Sequence, residues 1–325
     1  MDNFSIKRYH SEFKLQWDEF VVNSKNATFL FQRDFMEYHQ DRFNDYSLMI
    51  YKDDTLFALL PANKNTHQIH SHQGLSYGGL LLIENSKFID VLEAFKSTLH
   101  YLNDKGFDCL NLKLLPKIYH KLPSDEIDYL LFLTKAECYR KDTMSVVDSN
   151  YKIKISKNRD NGFKRGLKNE LVVKEVQEFK EFWDCILTKN LKAKHNTTPV
   201  HSLEEITYLK TCFPKHIRQF NVYHGDRIVA GTTIFETPLV AHSQYISGNE
   251  DKNILGSLDF LHTHLLKTVF HEKDYFDLGV SNEQNGMKVN QGLQYWKEGF
   301  GARTIIHDFY KIKTENYNLL NDVFI

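Results

Sequence analysis

Residues 276–303 read Phe-Asp-Leu-Gly-Val-Ser-Asn-Glu-Gln-Asn-Gly-Met-Lys-Val-Asn-Gln-Gly-Leu-Gln-Tyr-Trp-Lys-Glu-Gly-Phe-Gly-Ala-Arg. The first residues have the content of a buried strand. A polar, glycine-containing loop follows, then a short helix that ends at glycine. Val289, Leu293, Trp296 and Phe300 fall at helical spacing and are expected to form its buried face. Asn290, Gln294 and Lys297 make an adjoining stripe, three and four residues apart. Lys297 therefore stands beside Trp296 and Tyr295, a cation next to amide donors, which suits an oxyanion developing during acyl transfer.

Working outward, the same order of elements occurs twice. Upstream of the quoted stretch, Phe220–Tyr223 and Ile228–Phe235 flank His224-Gly225-Asp226, a hairpin signal. Leu239–Ile246 reads as a third strand, and Ser257–Phe270 as a helix with Leu258, Leu261, Leu265 and Val269 on one stripe. Strand Tyr275–Val280 follows. In the first half, Tyr46–Tyr51 and Leu56–Leu60 flank Lys52-Asp53-Asp54-Thr55, and a third apolar segment runs from Gln68 to His72. Phe88–Leu102 has helical periodicity, Gly106 caps it, and Phe107–Leu114 is a strand stopped by Pro116. Two copies of hairpin, strand, helix, strand predict a duplicated α/β (α+β) chain. The boundary is placed near Asn150, followed by a basic strand Tyr151–Ile155 and a helix Val176–Leu191.

Composition excludes several classes. The 325 residues are enough for two ordinary domains, and the net charge of −1 gives no global drive toward DNA or an anionic membrane. Met1 to Arg8 has no apolar leader, and no run approaches the roughly 20 apolar residues that span a bilayer. Cys109, Cys138, Cys185 and Cys212 are scattered and read as reduced core thiols of a cytoplasmic protein. His70 and His72, on one face of a strand, lie near His67, whereas His262 and His264 do not share a helix face. No ligand spacing accompanies them, so no metal is expected. A nucleophile elbow, a P-loop and a dinucleotide fingerprint are all absent from the sequence.

Phe276-Asp277, Gly279, Ser281, Glu283, Gly286, Asn290, Gly292-Leu293, Trp296-Lys297-Glu298 and Phe300-Gly301-Ala302 together resemble the closing segment of the second domain in FemAB-like proteins. These are tandem GNAT-type (GCN5-related) N-acyltransferases, and the likeness extends more weakly over most of the chain. It implies two GNAT-like domains, each a twisted mixed sheet flanked by helices. The first spans 1–150 and is joined by the returning segment 309–325; the second spans 151–308 and carries the active site. It also implies that Trp296 and Lys297 serve the acyl donor and the reaction.

Other candidates follow from the residues. In His195-Asn-Thr-Thr-Pro-Val-His201-Ser-Leu-Glu-Glu205, Ser202 and Glu205 form a capping box. His201 then sits at an exposed loop–helix junction, placed to accept a proton from an attacking amine. Tyr245 or water would protonate the leaving group. A GNAT phosphate loop belongs at 247–257, where Gly248, Lys252 and Gly256 are present but the spacing is one residue too long. Helix-end amides near Gly256 would still suit a phosphate. In the basic run 152–168, Lys164 and Arg165 would meet the phosphates of a nucleotide-linked acceptor, as the resemblance implies.

The function expected is N-acyl transfer from acyl-CoA, acetyl-CoA above all, to an amine of a small or nucleotide-linked acceptor such as an amino sugar. The alternatives are an aminoacyl-tRNA donor and a non-catalytic, ligand-binding double fold. Nothing like residues 276–303 follows Leu114, so the first copy is expected to be structural or acceptor-binding.

Overall fold

The computed structural model describes residues 4–151 and 154–325. The chain divides into two units: the described residues up to Lys141 together with Ile306–Ile325, and Asp142–Ile305. The division falls before Asn150 because the second half of the strand Glu137–Asp148 pairs with Tyr275–Val280, Met144 with Val280 and Asp148 with Tyr275. Among the described residues no helix is long and apolar enough to cross a membrane.

In the first unit, Leu48–Lys52 and Thr55–Leu60 form the expected antiparallel hairpin. Gln68–Ser71 runs parallel to Cys109–Lys113, and the crossover that a parallel pair needs contains the helix Phe88–Asp104. That helix buries Val91, Leu92, Phe95, Leu99 and Leu102. The C-terminal segment closes this core. Phe309 to Lys313 pair antiparallel with Cys109–Lys113. The 3-10 helix Thr314–Leu320 then lies against Phe88–Asp104, with Leu320 buried.

The second unit repeats the plan with longer strands. Its sheet runs Val172–Val176, Ile217–His224, Arg227–Glu236, Val240–Gly248, Tyr275–Val280 and then Asp142 to Asp148. Val240–Gly248 and Tyr275–Val280 are parallel, and the crossover is the helix Ser257–His264 with its π-helical extension Leu265–Val269. Val172–Val176 is an edge strand, so the helical run begins at Lys180 rather than Val176. Phe179, Phe182, Trp183, Ile186 and Leu187 form the buried stripe of that run. Of the expected strand Tyr151–Ile155, Lys152 and Ile153 lie outside the described residues, and Tyr151, Lys154 and Ile155 are not in a strand. Cys109 is buried, whereas Cys138 and Cys185 are exposed and Cys212 half-buried, so the cysteines are not all core thiols.

Helix Lys157–Lys168 crosses the start of helix Ser257–His264 at backbone contact. Gly256 has φ +71°, and a Cβ there would stand 2.2 Å from the carbonyl oxygen of Gly162. Gly162 and Gly166 in turn face Asp259 and Phe260. We expect Gly256→Ala to cost about 3 kcal/mol or more, the left-handed backbone adding to the clash. Gly225 also has positive φ but open space around it, so Gly225→Ala should cost only about 1–2 kcal/mol. Urea denaturation of the two variants measures this; equal costs would contradict the close approach.

Candidate active site in the second unit

Strand Tyr275–Val280 is apolar except for one carboxylate, Asp277, and that side chain is fully buried. A charge buried this way is tolerated only when its oxygens are satisfied. One oxygen accepts the Gly279 N–H at 2.7 Å, and the other faces His242 Nδ1 at 2.8 Å. His242 and Asp277 are also the last residues that the two parallel strands pair. Val240–Gly248 continues beyond them and so does Tyr275–Val280, with no further pairing between the two among the described residues. The strands thus fork, and the His–Asp pair sits at the vertex. A carboxylate on Nδ1 selects the tautomer whose Nε2 carries the lone pair. With its side chain 20% exposed, His242 is positioned as a base.

Lys297 enters the same place from the helix Gln291–Glu298. Asn290 caps that helix, its side chain accepting the Leu293 N–H at 3.0 Å. The buried face differs in part from the one expected: Phe300 is buried and Trp296 packs on the core as expected, but the rest of the stripe does not. Val289 and Leu293 are exposed, while Lys297 is only 2% exposed. Its Nζ donates to the carbonyls of Gly279 at 3.0 Å and Val280 at 2.6 Å. Loss of solvent pulls its pKa down to about 8, against the opposing pull of the Asp277 carboxylate. The helix turns this way because Trp296 is held by Asp259: its Nε1 donates to Oδ1 at 2.9 Å, and Arg159 binds the same oxygen at 2.5 Å. His262, completely buried against Trp296, has its pKa pushed down to about 4 by burial. Asn290 and Gln294 do not converge on Lys297. Asn290 also reaches Glu283, and Gln294 braces Ser145 and Glu298.

His201 and Tyr245 are brought together, but not at an exposed junction. The Ser202–Glu205 capping box forms, and His201 before it is buried. Its Nδ1 lies 2.6 Å from Tyr245 Oη, which also accepts the His201 N–H at 3.1 Å. Trp183 closes the pair by donating its indole N–H to the His201 carbonyl at 3.2 Å and packing its ring edge on Tyr245. A bulge in Val240–Gly248 opposite Thr233 and Ile234 shifts the alternation along the strand and turns Tyr245 toward Trp183.

The remaining candidates lie elsewhere in the unit. Gly248 ends its strand, Lys252 opens the four-residue helix Lys252–Leu255 that absorbs the extra residue, and Gly256 separates it from Ser257–His264. The amide end of the latter helix meets the Gly162 carbonyl, and its first turn holds the buried Asp259 carboxylate. Gly256 and Ser257 are buried there, which leaves that helix end no open amides for an anion. Lys164 and Arg165 are exposed on helix Lys157–Lys168, with Lys164 paired to Asp160. In the first unit His70 is in a strand, but His72 lies past the end of that strand and is buried. No group of three His, Cys, Asp or Glu is placed to hold a metal among the described residues.

The reading from sequence missed His242 and Asp277 as site residues. The available signal was a lone carboxylate inside an apolar strand, but its partner depends on the register of two strands far apart in sequence.

No family model and no curated protein matches the chain. Solved structures do. FemX superposes with a TM-score of 0.64 at 9% identity, over 97% of this chain and 99% of that one. The C-terminal domain of a putative lysylphosphatidylglycerol synthetase from Agrobacterium fabrum gives 0.61 at 12% identity, over 95% and 94%. A tandem GNAT protein from the clavulanic acid biosynthesis pathway gives 0.51 at 10% identity, over 96% and 99%. The fold is a tandem GNAT fold. It consists of two mixed α/β units, each with its parallel strand pair and crossover helix.

The Lys297 ammonium has a measurable signature. Between about pH 8 and its ordinary value of 10.5 the folded chain has released this proton while the unfolded chain still holds it. Stability conferred at this site therefore rises with pH across that window, by an amount on the order of 3 kcal/mol. Lys297→Met should abolish the rise. Urea midpoints of both proteins from pH 7.5 to 10.5 test it; a constant difference between them would contradict the buried ammonium.

Proposed function

We propose that this protein is an N-acyltransferase whose acyl donor presents its carbonyl at the fork of the second unit. The observation that carries the reading is the His242–Asp277 pair at the fork vertex, with the Lys297 ammonium on the adjoining carbonyls. The acceptor amine attacks the carbonyl carbon of a thioester or ester, and His242 Nε2 takes the proton that the nitrogen loses. Lys297 has three N–H groups and spends two on carbonyls, so its charge and remaining donor favour the oxyanion. Collapse of the tetrahedral species breaks the bond to sulfur or oxygen, and the leaving group takes the proton back from His242. Tyr245 serves in this scheme by holding His201 and the strand that carries His242.

Acyl-CoA is the donor we favour, with a small or nucleotide-linked amine such as an amino sugar as acceptor. The exposed Arg165 supports an acceptor with phosphates, since a guanidinium fork matches phosphate oxygens. One observation favours the second reading, an aminoacyl-tRNA donor: Gly256 and Ser257 at the helix end are buried beneath Gly162, so a CoA pyrophosphate is not expected there.

Single-turnover acyl transfer with radiolabelled acetyl-CoA and a panel of amines, repeated with a charged-tRNA donor, tests the function. His242→Gln should lower turnover by about 100-fold or more and remove the limb of the pH–rate profile that reports the base. Asp277→Asn should act in the same direction with a smaller change in KM. Transfer by His242→Gln at the wild-type rate would exclude the histidine as base. Failure of every donor to transfer would leave the non-catalytic alternative standing.

A further inference from the structure

The second unit contains a cavity of about 780 Å³ that the proposed acyl transfer does not use. This lies within the range of roughly 300–1,000 Å³ typical of small-molecule sites. It is formed on the helix-bearing side of the sheet. Phe276 lines it, and successive strand residues point to opposite faces, so Asp277 and His242 lie across the sheet from it.

Its walls have two characters. Val147, Ile155 and Leu266, all half-buried, make an apolar floor, with the buried Phe270, Phe276 and Phe300 beneath them. Lys154, Lys157 and Lys267 stand at the margin, all three exposed. Of the opposite charges that also line it, Asp160 pairs with Lys164 at 2.6 Å, whereas Asp148 accepts from the Asn150 N–H at 2.9 Å, a donor without charge. Lys273, by contrast, is taken up by Glu236 at 3.0 Å and by two carbonyls. Lys154 and Lys157 form no ion pair among the described residues. What remains is an apolar floor with three exposed lysines and one carboxylate, Asp148, around it.

We propose that this cavity binds an amphipathic anion, an acyl or aryl body lying on Val147, Ile155 and Leu266 above the buried phenylalanines, with its phosphate or carboxylate held by Lys154, Lys157 and Lys267. An inorganic anion alone would leave the apolar floor wet, and an uncharged hydrocarbon would leave the lysines unused. The two halves of the site therefore select a molecule that carries both features.

The test is calorimetric titration of the full chain with dodecyl phosphate below its micelle concentration. Inorganic phosphate and dodecyl maltoside provide the head and the tail separately. One saturable site for dodecyl phosphate is expected, with neither control binding comparably. The triple variant K154E/K157E/K267E should weaken binding about tenfold or more, and Leu266→Trp, which fills the cavity from its half-buried wall, should abolish it. Circular dichroism checks that both variants fold. Flotation with phosphatidylglycerol vesicles then separates the sources: co-flotation assigns the anion to a lipid, and binding of the monomer alone assigns it to a soluble molecule. No saturable binding by wild type, binding of inorganic phosphate as tight as dodecyl phosphate, or indifference to the charge reversal would each overturn the proposal. Acyl-transfer activity is not read out, so the result is independent of the reaction assigned to the fork.

Discussion

A carboxylate with no solvent around it organises the second unit. Asp277 is tolerated inside an apolar strand because its oxygens are satisfied, the Gly279 amide and the His242 imidazole among their partners. To reach Asp277, His242 must be the residue opposite it, which fixes the register of the parallel pair. Gly279, at φ +73°, bends the strand just beyond, and a Cβ there would approach the His242 ring at 3.5 Å. The carbonyls of Gly279 and Val280 are then available to Lys297. One buried charge thereby specifies where pairing ends, how the base is oriented and where the ammonium sits.

The duplicated unit makes the contrast clear. In the first unit the parallel strands also begin to part, after Ser71 and Leu112, but the chain returns and closes the gap. Gly78 bridges Leu114, donating to the Lys113 carbonyl and accepting from the Leu115 amide. Ser71 Oγ accepts the Gly79 N–H at 2.7 Å, and a Cβ on Gly78 would meet the Ser71 carbonyl at 2.0 Å. Only glycine permits that approach. The same topology thus yields a sealed fork in one copy and an unpaired one in the other.

The elements whose signals are local were legible from sequence. Asp53-Asp54 and Gly225-Asp226 carry turn chemistry between apolar runs, and both hairpins formed. Ser202 and Glu205 formed their capping box, and the repeated order of elements appears as two α/β units, each with a parallel strand pair and a crossover helix. Readings that depend on tertiary contact fared differently. Of the expected inner stripe, Trp296 and Phe300 do face the core, but the anchoring of Trp296 to Asp259 leaves Leu293 outside and Lys297 buried. His201 reads as a loop residue until Trp183 and Tyr245 pack over it. Val172–Val176 is interrupted by the adjacent Lys174 and Glu175 with no strict alternation, weak as a strand signal and acceptable on a sheet edge. The partnership of His242 with Asp277 had no local signal, because only the fold brings the two strands into register.

The central claim is that the donor's reacting end lies in the fork of the second unit. Amide hydrogen exchange with and without saturating acetyl-CoA addresses it most directly. The account expects protection on both edges of the fork, residues 243–248 and 278–281, and little change at 256–260, where the helix end is already covered. Protection confined to 256–260, or no change along either strand, would contradict it.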